Sequence, residues 1–128
     1  MGVFLFISIL STHFVQKWHC VKGTGGPYGR ILVADTDRDS RIELIFGYAE
    51  SLHIKSVVYE LYPDNNFHLE AIIDTMSSEC WAIGDFDLDG LYDVVLNGYF
   101  GLPGVGQHIY ESPDSFSYPT QEVWRDTV

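Results

Sequence analysis

The chain repeats itself after about fifty residues, and this repeat is the strongest constraint on how it folds. Tyr59-Glu60 recurs as Tyr110-Glu111, Pro63-Asp64 as Pro113-Asp114, and Asp74-Thr75 as Asp126-Thr127, always at an offset of 50 to 52 residues. Each unit carries four short apolar segments separated by turn-forming residues. Four strands in a unit of this length are typical of a β-propeller blade. The sequence therefore predicts an all-β fold of two four-stranded antiparallel blades, part of a larger propeller.

The apolar segments give the positions of the predicted strands. The first unit, residues 23–76, has predicted strands at 30–34, 42–46, 54–61 and 67–73. The second unit, residues 77–128, has them at 80–84, 92–96, 107–111 and 119–124. Their Val, Ile, Tyr and Phe content is typical of strands. The second unit stops where a third would begin, so we expect further blades from a longer chain or self-association to complete the fold.

The first ten residues are apolar, and two interpretations of them are open. They are too few to span a bilayer as a helix, but they suit the apolar core of a secretory signal, although no Lys or Arg precedes them. The alternative is a buried strand at residues 3–10. We assign residues 1–22 to a signal peptide or an N-terminal strand, and the signal predicts a secreted or cell-surface protein. Cys20 and Cys80 form either one disulfide or two buried thiols.

The formal net charge of −11 argues against two classes of partner. Nucleic acids and anionic membrane surfaces are bound through basic patches, and this chain is strongly acidic. Eight of the eighteen acidic residues lie in two short loops, one in each unit. Much of the negative charge is therefore concentrated where bound divalent cations would offset part of it.

Each acidic loop lies between the first and second predicted strands of its unit. Acids stand at loop positions 1, 3, 5 and 9: Asp35, Asp37, Asp39 and Glu43 in the first loop, and Asp85, Asp87, Asp89 and Asp93 in the second. Alternate acids of a tight turn point inward together, and the backbone carbonyl at position 7, from Arg41 or Leu91, adds another oxygen. Six or seven oxygen ligands suit calcium better than zinc or copper. The spacing therefore predicts one Ca²⁺ in each loop.

The loops resemble the calcium loop of FG-GAP repeats, which form the blades of the integrin α-chain propeller, and of the related VCBS repeats of bacterial surface proteins. That pattern is Asp-x-Asp-x-Asp-Gly-x-x-Asp followed by two aliphatic residues, and residues 85–95 match it fully. In the first loop Ser40 replaces the glycine and Glu43 replaces the last aspartate. A side chain at a position that often needs φ > 0 costs about 1 kcal/mol, so we expect weaker binding there. An EF-hand is a poorer match, since it needs flanking helices and a glutamate at position 12.

The resemblance implies a binding or adhesion module, or a scaffold, with a protein or glycan as its ligand. Tyr99 and Phe100, after the second strand of the second unit, are the best candidates for aromatic ligand contacts. The resemblance also admits the propeller portion of a polysaccharide-degrading enzyme as an alternative. We expect no enzymatic activity, because the chain offers no acid/base pair outside the metal loops. A third alternative is a spacer within a long surface protein.

Overall fold

The structure is a computed structural model that describes residues 28–50, 53–75, 77–98 and 106–126, and these residues form an all-β fold. The strands are β1 Tyr28–Ala34, β2 Glu43–Glu50, β3 His53–Leu61, β4 Phe67–Asp74, β5 Ser77–Gly84, β6 Asp93–Gly98, β7 Gln107–Glu111 and β8 Gln121–Arg125. The described ranges contain no helix long and apolar enough to cross a membrane. The predicted signal peptide or N-terminal strand at 1–22, with Cys20, and the aromatic pair at 99–100 lie outside the described residues.

The strands form two antiparallel four-stranded sheets, one in each sequence repeat. The first sheet contains β1 to β4 and the second contains β5 to β8, and neighbours in sequence are neighbours in each sheet. The first strands of the two units run parallel, and in the part of the chain that the structure describes they meet through one pairing, Gly29 with Cys80. The predicted all-β fold with two four-stranded antiparallel units is confirmed.

The predicted and observed strand bounds differ most in β2, and β8 also begins later than predicted. The predicted strand at 42–46 ends before Gly47, but β2 continues to Glu50 and Gly47 pairs with both Tyr28 and Ser56. Gly47 is buried, and a glycine inside a strand permits a close approach of neighbouring backbone. Strand β8 begins at Gln121, two residues after the buried Pro119, which has no N–H to donate to the ladder.

A hydrophobic core lies between the two sheets. Ile45 and Val58 of the first sheet and Val94 and Leu96 of the second are fully buried there. Burying each such side chain stabilises the fold by about 1.5–3 kcal/mol. Cys80 is also in this core as a free thiol, and burial raises its pKa to about 12. Of the two alternatives for the cysteines, the structure therefore has Cys80 as a buried thiol.

A second apolar cluster occupies the opposite face of the first sheet. It contains Phe46, Tyr48, Val57 and Tyr59, none of which is more than 7% exposed. The rings of Phe46 and Tyr59 stack with their centroids 5.5 Å apart. Because successive strand residues point to opposite faces, β2 and β3 supply side chains to both clusters. The first sheet is thus buried on both faces at its centre.

Candidate metal centre

Both acidic loops start at the carboxyl end of the first strand of a unit and end on the first residue of the second strand. The last acid of each loop is therefore held by a strand ladder: Glu43 pairs with Ala34, and Asp93 pairs with Gly84. This register places the ninth loop residue beside the point where the loop begins. Since β1 and β5 are parallel neighbours, the two loops lie at the same end of the two sheets.

The first loop brings all four of its predicted acids together. Carboxylate oxygens of Asp35, Asp37, Asp39 and Glu43 lie within 4.8 Å of one another. The turn is held by backbone N–H groups that donate to these carboxylates, from Ser40 to Asp35 at 3.1 Å and from Arg41 to Asp39 at 2.8 Å. The structure therefore brings together all four acids that the sequence predicts as ligands in this loop, and their binding of a metal stays a prediction.

Glu43 is the most unusual acid of the first loop, because its side chain is fully buried. One carboxylate oxygen, Oε2, accepts hydrogen bonds from the backbone N–H and the hydroxyl of Thr36, the latter at 2.9 Å. The other oxygen, Oε1, is buried without a partner, and so is Oδ1 of Asp35. Burial raises the pKa of Glu43 to about 7, although the bonds from Thr36 oppose this shift. A buried oxygen without a partner costs about 1–3 kcal/mol, and a cation between these acids would supply the missing interaction.

The second loop has the same backbone plan. Backbone N–H groups donate from Gly90 to Asp85 at 3.0 Å, from Leu91 to Asp89 at 2.8 Å and from Phe86 to Asp93 at 2.8 Å. Asp85, Asp87 and Asp93 form one group of oxygens within 4.8 Å. Burial raises the pKa of Asp93, which is 4% exposed. Three of the four predicted acids thus lie together.

The fourth predicted acid of the second loop, Asp89, belongs to a different group. Its oxygens lie within 4.8 Å of those of Asp87 and of Glu111, a residue of β7 that the sequence analysis did not include. Glu111 is carried there because β6 and β7 pair Asp93 with Glu111. The recurrence of Tyr59-Glu60 as Tyr110-Glu111 was the available signal, since it marks a glutamate at the same place in both units.

The equivalent glutamate of the first unit has other partners. Glu60 is 1% exposed, and its carboxylate accepts hydrogen bonds from the Arg41 guanidinium and the Tyr118 hydroxyl, both at 2.5 Å. Arg41 also lies 3.3 Å from Asp39 and packs over the Tyr62 ring. Position 7 of the second loop is Leu91, which has no such charge. The first loop therefore contains a positive charge of its own, Arg41, and Glu60 pairs with this guanidinium and is not a member of the acidic cluster.

Ligation by the backbone carbonyls of Arg41 and Leu91 at position 7 stays a prediction. The N–H of Arg41 and the N–H of Leu91 each donate to the aspartate at position 5, at 2.8 Å in both loops. This shared bond fixes the peptide that precedes each predicted carbonyl in the same place in the two units.

Both loops need left-handed backbone at positions 4 and 6. At position 6 the φ angle is +71° in Ser40 and +93° in Gly90. We expect Ser40→Gly to stabilise the protein by up to about 1 kcal/mol and Gly90→Ala to destabilise it by about 1 kcal/mol. A Cβ added at Gly90 meets nothing within 4 Å, so the cost there comes from the backbone alone. Urea unfolding at fixed metal concentration measures both changes, and effects of the same sign for the two variants would contradict this account.

The described acids form oxygen clusters that are able to hold a metal ion. The set contains carboxylates, a hard ligand type that suits hard cations. A scan against protein-family models, a search of curated proteins and a search of solved structures each found no match.

Proposed function

We propose that this protein is a calcium-stabilised segment of a β-propeller of the FG-GAP or VCBS type, which serves as a binding, adhesion or scaffold module of a secreted or cell-surface protein. The observation that carries the proposal is the buried, unpartnered pair of oxygens in the first loop, Glu43 Oε1 and Asp35 Oδ1. They lie inside a four-carboxylate cluster whose plan recurs fifty residues later.

Calcium is the ion that this donor set favours. Every proposed ligand is oxygen: carboxylates at loop positions 1, 3, 5 and 9, and the carbonyl of Arg41 or Leu91. Calcium accepts six to eight oxygen ligands in a flexible arrangement, whereas magnesium requires a near-ideal octahedron and retains water. In the second loop Glu111 is a further ligand candidate, because it groups with Asp87 and Asp89. One divalent ion per loop would offset half of the negative charge of the eight loop acids at this end of the two sheets.

A structural role for the ion is favoured over a catalytic one. Carboxylates that fill the coordination shell leave little room for an activated water, whereas catalytic metal sites keep a position open. The two loops join strands within each unit, so an ion in them would hold β1 to β2 and β5 to β6. The module would then act through surfaces that this rigid framework presents to a protein or glycan.

Isothermal titration with Ca²⁺ tests the metal assignment directly. We expect two ions per chain, with the second loop binding more tightly than the first. In the first loop Ser40 has a positive φ angle, and the positive charge of Arg41 lies beside Asp39, and both features weaken ion binding there. Asp87→Asn should remove the tighter site and Asp37→Asn the weaker one. Asp64→Asn, in the β3–β4 turn, is the matched control and should leave both sites intact. No heat of binding in the wild-type protein, after removal of contaminating metal, would refute the proposal.

A further inference from the structure

The inter-sheet core is built from one cross-strand row of the first sheet. Leu32 pairs with Ile45, Ile45 with Val58, and Val58 with Ala71, so one row crosses all four strands. We call these four residues the inner row. All of them pack in the core between the sheets, against side chains of the second sheet that include Val94 and Leu96.

The second sheet carries the equivalent row on its other face. Ala82 pairs with Val95, Val95 with Ile109, and Ile109 with Trp124, and we call these four residues the outer row. Ile45 and Val95 are fifty residues apart, as the repeat requires. Ile45 and Val58 are fully buried, but no member of the outer row is, and Trp124 is 48% exposed. The face of the first sheet that carries the inner row is covered by the second sheet. The face of the second sheet that carries the outer row is only partly buried.

Apolar side chains extend the outer row into a larger surface. Val123 is 46% and Phe86 51% exposed, and both line a groove of about 490 Å³ together with Ile109 and Glu111. An exposed contiguous apolar surface with a polar rim is typical of an interaction site. Its rim here is acidic, because Asp87 and Asp89 also line the groove.

A polar contact between the two units indicates which kind of partner binds the outer row. The Tyr118 hydroxyl, from the segment between β7 and β8, crosses to the first unit and donates to Glu60 at 2.5 Å. Tyr118 also packs against the inter-sheet core. Glu111 is the repeat equivalent of Glu60 and lies at the rim of the outer groove. A further unit of the same design would therefore bring a tyrosine hydroxyl to Glu111.

The loops give a second, independent contact of the same kind. Arg38, at position 4 of the first loop, donates to the backbone carbonyl of Gly90 in the second loop. The equivalent residue of the second loop is Leu88, which is 86% exposed. Position 4 of the first loop thus contacts the following unit, and position 4 of the second loop projects into solvent.

We propose that the outer row and Glu111 form a docking surface for a further four-stranded repeat, which packs on it as the second sheet packs on the inner row. The contact is of the head-to-tail kind, since it joins two different faces of similar units. The proposal rests on the repeat architecture proposed above and adds the face, the residues and the polar contact through which the next unit binds.

A three-unit chain tests the docking surface. The full chain is extended by a copy of its own residues 77–128, placed directly after Val128; Thr127-Val128 then precede the new unit as Thr75-Met76 precede the second. Trp124 is kept as the only tryptophan, with Phe at every other tryptophan position. We expect quenching of Trp124 by iodide to fall, its emission to shift to the blue and the melting temperature to rise relative to the two-unit protein with the same substitutions.

Two variants of the three-unit chain separate docking from mere attachment. Tyr118→Phe in the added unit alone should lower the melting temperature of the three-unit chain, because it removes the donor to Glu111. Ile109→Asp in the middle unit should restore iodide quenching of Trp124, and the same change in the two-unit chain reports any loss of folding. Unchanged quenching and emission on extension would overturn the proposal, and so would a self-associated two-unit chain already protected at Trp124. Calcium titration of the two-unit chain reports the proposed function separately, so either idea can fail alone.

Discussion

Calcium should raise the melting temperature of the metal-free protein by about 10 °C for each occupied site. An ion that binds only the folded state at a free concentration one hundred times its dissociation constant stabilises that state by about 2.7 kcal/mol. In a chain of this size, 1 kcal/mol corresponds to roughly 3–5 °C. In the first site, Glu43 Oε1 and Asp35 Oδ1 are buried without hydrogen-bond partners, and a bound ion would interact with both. Differential scanning calorimetry of the chelator-treated protein, with and without added CaCl₂, measures the effect.

Matched variants separate ion binding from general screening of an acidic protein. Asp37→Asn and Asp87→Asn each remove one loop charge without a change of shape, and each should remove about half of the calcium-dependent rise. Asp64→Asn removes a charge outside the loops, where Asp64 accepts the Asn66 N–H, and should keep the full rise. The same increase in MgCl₂ or NaCl at equal ionic strength would show screening in place of a specific site.

Glu60→Ala should destabilise the protein by about 3 kcal/mol. The substitution removes a buried acceptor that serves both Arg41 and Tyr118, and a hydrogen bond to a charged group contributes about 1.5–3 kcal/mol. It also leaves the Tyr118 hydroxyl, held between the two units, without its acceptor. Urea unfolding at constant calcium concentration measures the loss.

Glu111→Ala is the matched control, since Glu111 occupies the same place in the second unit. Its neighbours are Asp87 and Asp89, which repel it, and burial and these charges raise its pKa. In chelator we expect a change within about 0.5 kcal/mol. In calcium we expect weaker binding to the second loop. Equal losses for the two variants in chelator would show that Glu60 owes its importance to its strand position and not to Arg41 and Tyr118.

The fold was largely predictable because local signals agreed with each other. The acidic loops, the glycines and the Pro63 turn divide the chain into apolar segments, and those segments became the eight strands. The repeat then indicated two equivalent sheets. Strand ends were less predictable, because Gly47 behaves as a strand residue only when its neighbours β1 and β3 approach it.

The candidate site was predictable as far as it is local in sequence. The four acids of the first loop lie within nine residues and form one cluster, whereas the same spacing in the second loop leaves Asp89 in a separate group. Glu111 joins the second loop through the pairing of β6 with β7, which spacing within the loop does not reveal. The partners of Glu60 depend on Tyr118, a residue of the other unit, so only the packed structure shows them.

The order of the strands also has a consequence for how the chain acquires its structure. Within each sheet every pairing joins strands that follow one another, and among the described residues the one backbone strand pairing between the units joins Gly29 with Cys80. Closing such short connections costs little chain entropy. Each sheet is therefore able to form by successive pairing of its own neighbouring strands. The first unit is complete in sequence before the second begins, and synthesis on the ribosome would therefore deliver the two sheets one after the other, with their docking as the late step.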